Sequence, residues 1–288
     1  MRARAFLSKV LPPGWMPYLL HLRPRTWPIA AFHMSVGFLL AIGLQFTADA
    51  IWQWLIAFFA WVILGNGSTL AINSVFDNDE KDIGYLDDPP PPPPHLLQFS
   101  VFFLLAGWPL ATLLGWRFLV AYSASLVMSV LYSVPPFRLK GRIGGDVLIN
   151  AFGYGALTVY AGWAAIGRPL EPPIVNVCCG SFFMVAGTLP LSQIYQTAED
   201  HDRGDSTLAV LLTKRQALLF SMGSELVAFA FFLTEAWLRY RVLQSIGILI
   251  ALGAWAIVIL PWYFRHDQVD QSYEKRGFYQ ALWACFIT

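Results

Sequence analysis

Long apolar runs broken by short polar stretches dominate the chain from residue 27 onward. Hydrocarbon offers a backbone no hydrogen-bond partner, so a segment crossing it must be a helix of about 20 largely apolar residues. Such segments fall at roughly 27-46, 51-73, 96-115, 117-135, 145-166, 173-196, 216-236, 243-264 and 274-288. The pattern predicts an all-α integral membrane protein with nine transmembrane helices in a single polytopic domain, 1-288. Two acidic stretches end the second and sixth segments, four helices apart. This spacing suggests similar halves at about 20-143 and 144-265, with the ninth helix added.

Composition narrows the class. With 57% hydrophobic and 13% charged residues, the chain lies far from the soluble norm of about a quarter charged. A net charge of +1 leaves no basis for a polyanionic partner, so nucleic acid is excluded. Cys178, Cys179 and Cys285 lie in apolar runs and read as small core residues. Arg2, Arg4 and Lys9 precede Leu-Pro-Pro-Gly rather than an unbroken apolar stretch, so no cleaved signal peptide is expected. If the N-terminus is cytoplasmic, all nineteen Lys and Arg except Arg117, Arg168, Arg239 and Arg241 fall on the cytoplasmic side. The polar loops after the second, fourth and sixth segments share that side, so any chemistry is expected there.

The second segment ends in Asn73-Ser74-Val75-Phe76-Asp77-Asn78-Asp79-Glu80-Lys81-Asp82, and the sixth in Gln196-Thr197-Ala198-Glu199-Asp200. Residues four apart share a helix face, which pairs Asn73 with Asp77 and Gln196 with Asp200. Amide and carboxylate oxygens suit hard Mg²⁺, which is usually held by a few carboxylates plus phosphate oxygens. The two segments run in the same direction, so their acidic ends are expected at one membrane surface. A calcium loop is excluded, because Lys81 and Asp82 stand where an EF-hand needs a ligand and a glycine. Solvated acidic loops remain an alternative, but they leave Asn73, Ser74, Gln193 and Gln196 unexplained inside apolar helices.

Between the acidic stretches lies Tyr132-Ser133-Val134-Pro135-Pro136-Phe137-Arg138-Leu139-Lys140. Prolines end the helix and two cations follow. Arg138 and Lys140 read either as positive-inside anchors or as partners for the remaining charge of a diphosphate. The run Pro89 to Pro94 reads as a stiff polyproline II segment, either a spacer or a strut fixing a loop over the site. Asp146 and Asn150, one turn apart at the start of the fifth segment, are candidates for acceptor or lysine contacts.

These three motifs, in this order, resemble the UbiA superfamily of intramembrane prenyltransferases over nearly the whole chain. The resemblance rests on Asn73 to Asp82, on Tyr132 to Lys140, and on Gln196 to Asp205 followed by Thr207-Leu208-Ala209-Val210. Three departures stand out: Ser74 where the family usually has Asp, Lys81 in place of the third Asp with Asp82 one step later, and Gln196 for the leading Asp of the second motif. The resemblance implies nine helices around a central cavity, with Mg²⁺ held by Asn73, Asp77, Asp82, Glu199 and Asp200 and the diphosphate met by Arg138 and Lys140. It implies ionisation of an isoprenyl diphosphate and prenyl transfer to an acceptor, expected to be an aromatic quinone precursor or similar ring. Asp77, Asp200, Arg138 and Lys140 are the expected catalytic groups. Asn73, Tyr132, Asp146, Asn150, Tyr195 and Gln196 are the expected substrate contacts. Tyr132, Tyr154 and Tyr195 could also stabilise the allylic cation by cation-π attraction.

A terpene cyclase on the same scaffold would use the same acids without an acceptor. A transporter is a third reading, disfavoured because the acids gather at one interface rather than near the midplane. No obligate protein partner is expected beyond the bilayer.

Overall fold

Each apolar run becomes a helix, and local capping sets where it starts and stops. The computed structural model describes residues 12, 14–43, 45–77, 86, 89–197, 207–239 and 241–287. Expected residues Asp82, Glu199 and Asp200 lie outside the described residues. The chain forms two compact units, 1–137 with 160–169, and 138–159 with 170–288.

The first unit opens with a short helix not foreseen in the sequence, α1 (Trp15–His21). It is followed by α2 (Trp27–Ile42). This helix stops short of residue 46, because Gly43 turns left-handed at φ 57° and returns its amide to Leu39, a conformation glycine adopts without a Cβ penalty. The run α3 (Ala48–Asp77) starts earlier than expected, where the Thr47 side chain accepts a hydrogen bond from the Ala50 amide. Within α3, residues Phe58–Asn66 widen to π-helix. Helices α4 (Leu96–Leu113) and α5 (Trp116–Ser133) pack as a pair. The core of the unit is aromatic: Trp61 meets Phe118 and Tyr122 edge-on at 6.0 and 6.2 Å. The Tyr122 hydroxyl donates to the Leu104 carbonyl at 2.8 Å, so the polar tip of a fully buried ring is satisfied.

The run α6 (Gly145–Ala164), with π-helix at Ala151–Leu157, begins in the second unit and ends in the first. The second unit continues with α7 (Pro172–Ile194), the short α8 (Leu208–Leu211), α9 (Lys214–Leu238), α10 (Val242–Phe264) and α11 (Gln271–Ile287). Thr213 and Gln216 form a capping box that starts α9. Leu191, Leu218, Ile259 and Trp262 form a core in which α11 is seated by Phe278 and Ala281. Outside these cores, Leu243, Ile257, Phe264 and Trp237 stand exposed, an outward apolar surface suited to lipid.

Among the described residues, seven runs are long and apolar enough to cross a membrane, judged by length and composition: Trp15–Ile42, α3, α4, α6, α7, α9 and α10. The fourth and ninth expected spans, α5 and α11, are helical but fall outside that set. Serines at 123, 125, 129 and 133 dilute α5, and Glu274, Lys275 and Arg276 dilute α11.

Candidate functional site

In the first unit the site residues are set by the last turns of α3. Asn73 Oδ1 accepts a hydrogen bond from Ser133 Oγ at 3.2 Å, so the acidic end of α3 is fixed to the end of α5, beside Tyr132. Ser74 is buried on another face, where Arg23 Nη2 donates to its Oγ at 3.2 Å. Arg23 is itself only 7% exposed, in a left-handed backbone at φ 48°, and the Thr26 hydroxyl donates to its carbonyl at 2.8 Å. From the sequence alone Arg23 is only one of the basic residues expected on the cytoplasmic side. Asp77 ends the helix half-buried. Asn73 and Ser74 thus each have a partner from another element, Ser133 and Arg23, which accounts for polar residues inside an otherwise apolar helix.

In the second unit Arg138 precedes a single 3₁₀ turn, Leu139–Gly141, that buries Lys140. Asp146 follows on the first turn of α6 and is 1% exposed. Gln193 Nε2 donates to Asp146 Oδ2 at 2.7 Å, and Asn150 Nδ2 donates to the Asp146 carbonyl at 2.9 Å. These contacts explain why Gln193 sits in an apolar helix, and they show the amide of Asn150 bonded within its own turn. Tyr195 closes α7 with its ring 6.2 Å from Phe278, and its carbonyl accepts from Gln271 Nε2 at 2.7 Å. Gln196 lies in the turn after α7.

Among the described residues no group of three His, Cys, Asp or Glu gathers as a metal site, since only Asn73 and Asp77 of the expected ligands fall within them. The chemistry of those two fits a hard cation: an amide and a carboxylate oxygen one turn apart. The soft ligand Cys178 is on α7, donating to the Ala156 carbonyl at 3.3 Å.

The expectation that acids gather only at the interface is corrected by α9. Glu225, near the middle of that helix, is 0% exposed and 3.0 Å from Thr188 Oγ1 on α7. Glu235 pairs with Arg239 and accepts from Asn176 Nδ2 at 3.1 Å. Interhelical hydrogen bonds of this kind join apolar helices where lipid gives no hydrophobic drive. The signal was present, as carboxylates inside the segment 216-236.

The description of the UbiA prenyltransferase family fits residues 30–286 of the chain. The chain is similar to a lycopene elongase/hydratase of Haloarcula japonica, 26% identical over 80% of each chain. It is also similar to a probable homogentisate phytyltransferase 2, chloroplastic, of Oryza sativa subsp. japonica, 26% identical over 81% of this chain and 66% of the relative. Among solved structures, a UbiA homolog from Archaeoglobus fulgidus bound to GPP and Mg²⁺ superposes with a TM-score of 0.68 at 18% identity, covering 94% of this chain and 98% of that one.

Proposed function

Because the chain belongs to the UbiA prenyltransferase family, we propose that this multi-pass membrane enzyme carries out Mg²⁺-dependent prenyl transfer from an isoprenyl diphosphate to an electron-rich ring, such as a quinone precursor. Nine helices would enclose the prenyl chain, with the N-terminus and the polar loops cytoplasmic. The observation that carries the reading is the placement of Asn73 at the end of α3, bonded to Ser133 at the end of α5, with Asp77 one turn further along the same helix.

Asn73, Asp77, Asp82, Glu199 and Asp200 would hold the metal. When bound, Mg²⁺ stabilises the negative charge on the departing diphosphate. Arg138 and Lys140 bind the remaining phosphate charge. The allylic carbon-oxygen bond breaks with its electron pair leaving on diphosphate. The ring attacks the cation and then loses a proton. Apolar helices exclude the water that would otherwise capture the cation, while Tyr132, Tyr154 and Tyr195 stabilise it by roughly 0.5 to 2 kcal/mol per ring. Asp146 and Asn150 would contact the acceptor. The two relatives are named for different compounds, lycopene and homogentisate, and the ring is favoured here because Asp146 at the start of α6 and Gln193 near the end of α7 are groups able to bind a hydroxyl.

The test is incubation of the purified protein with a panel of isoprenyl diphosphates and aromatic acceptors, read by mass spectrometry. A prenylated ring supports the reading. A cyclic hydrocarbon from diphosphate alone supports a cyclase instead. Chelation with EDTA should stop diphosphate release and added Mg²⁺ should restore it, and turnover persisting in EDTA would exclude the metal. Lys140→Ala removes a charge-assisted bond of about 1.5 to 3 kcal/mol, so kcat/KM for the diphosphate should fall roughly 10- to 100-fold. An unchanged value would return Lys140 to a topological anchor.

A further inference from the structure

Proline has no backbone N–H, so a run of six prolines, Pro89 to Pro94, presents only carbonyl acceptors to its surroundings. Whatever holds such a run must bring donors and flat apolar surface. Helix α1 brings both. The Tyr18 hydroxyl donates to the Pro94 carbonyl, and His21 Nε2 lies 3.0 Å from the Pro90 carbonyl. A carbonyl can only accept, so Nε2 carries the proton. Trp15, Tyr18 and Phe99 form a ring cluster alongside, with Tyr18 and Phe99 centred 5.1 Å apart.

The same short stretch also grips α3. Leu22 packs with Ala71 of α3 and Leu96 of α4, with Val75 and Phe99 against them, and Arg23 bonds Ser74. Residues 15–23 therefore hold both helices that flank the first acidic segment: the departing limb at Ser74, and the returning limb at Pro90 and Pro94.

We propose that α1 is a clasp, with Tyr18 and His21 as positioning residues that hold the Pro90 to Pro94 run against the end of α3 that carries Asn73 and Asp77. The proposal rests on the reading of Asn73 and Asp77 given above. Neither Tyr18 nor His21 is assigned contact with substrate.

The test uses the purified full chain with Tyr18→Phe, His21→Ala and His21→Gln. Two quantities are read: the Mg²⁺ concentration that half-saturates diphosphate release, and hydrogen exchange of the His95 to Phe99 amides without substrate. Loss of one hydrogen bond should raise the half-saturating Mg²⁺ roughly three- to tenfold in Tyr18→Phe and His21→Ala. The rate at saturating Mg²⁺ should stay near wild type, and His21→Gln, which keeps a donor, should recover most of the shift. Exchange from His95 to Phe99 should rise in the same two variants. Unchanged exchange, or a lower saturating rate with no shift in Mg²⁺ dependence, overturns the clasp. If the wild-type protein released no diphosphate at all, the reaction assigned to the site would fail, and the exchange measurement would still decide whether α1 holds the proline run.

Discussion

Replacing Asp77 by asparagine should lower prenyl transfer at least about 100-fold, the scale of losing one preorganised electrostatic group at a site of developing charge. The substitution keeps the size and hydrogen-bonding reach of the side chain and removes only its charge. Asp77 sits half-buried on the final turn of α3, and the isosteric variant should melt in detergent within a few degrees of wild type. Asp200→Asn should behave alike if the second acidic segment serves the same diphosphate. Normal turnover in either variant would remove that residue from the proposed ligand set, whereas equal loss of activity and stability would assign it to folding.

The largest effect on stability is expected at Gly162. A Cβ built there would lie 1.8 Å from the Met34 carbonyl oxygen and 2.8 Å from the Phe38 amide nitrogen, so the two backbones touch where only hydrogen separates them. Backbone of a packed helix cannot move aside as a flexible side chain can. Overpacking generally costs about 1–3 kcal/mol and occasionally more, and Gly162→Ala should exceed the upper end, with Gly162→Val giving no monodisperse protein. Gly223 is the control: nothing lies within 4 Å of its Cβ position, and alanine there should be neutral or stabilise α9 by up to about 1 kcal/mol. Thermal unfolding in detergent distinguishes the two. Similar melting of wild type and Gly162→Ala would mean that α2 and the end of α6 do not approach as closely as described.

Helix positions were legible because membrane burial imposes one crude rule, an apolar stretch of fixed length, and the runs from Trp27 to Phe264 other than α5 obey it. Boundaries were less so: Gly43 and Thr47 move helix ends by several residues through local hydrogen bonds that hydropathy does not register. The π-helical stretches at Phe58–Asn66 and Ala151–Leu157 carry no hydropathic signature at all. Helix α1 is not legible because it is short and carries Pro17 in its first turn, and its partner is a proline run distant in sequence. Of the site, Asn73 and Asp77 were readable from spacing on one helix. The bonds of Asn73 to Ser133, Ser74 to Arg23 and Asp146 to Gln193 were not, since each joins elements whose register only tertiary packing sets. Gln193 stands out in the sequence as a polar residue in an apolar run, and its partner Asp146 is 47 residues away.

The account depends above all on oxygen ligands from both acidic segments serving one diphosphate. A structure of the protein with Mn²⁺ and an unreactive isoprenyl thiodiphosphate, with the metal located by anomalous scattering, tests this directly. The account predicts metal bound by Asp77 on one side and Asp200 on the other, with a single diphosphate between them and roughly 2 Å metal-oxygen bonds. Metal and diphosphate bound at only one of the two segments, with the other facing elsewhere, would contradict it.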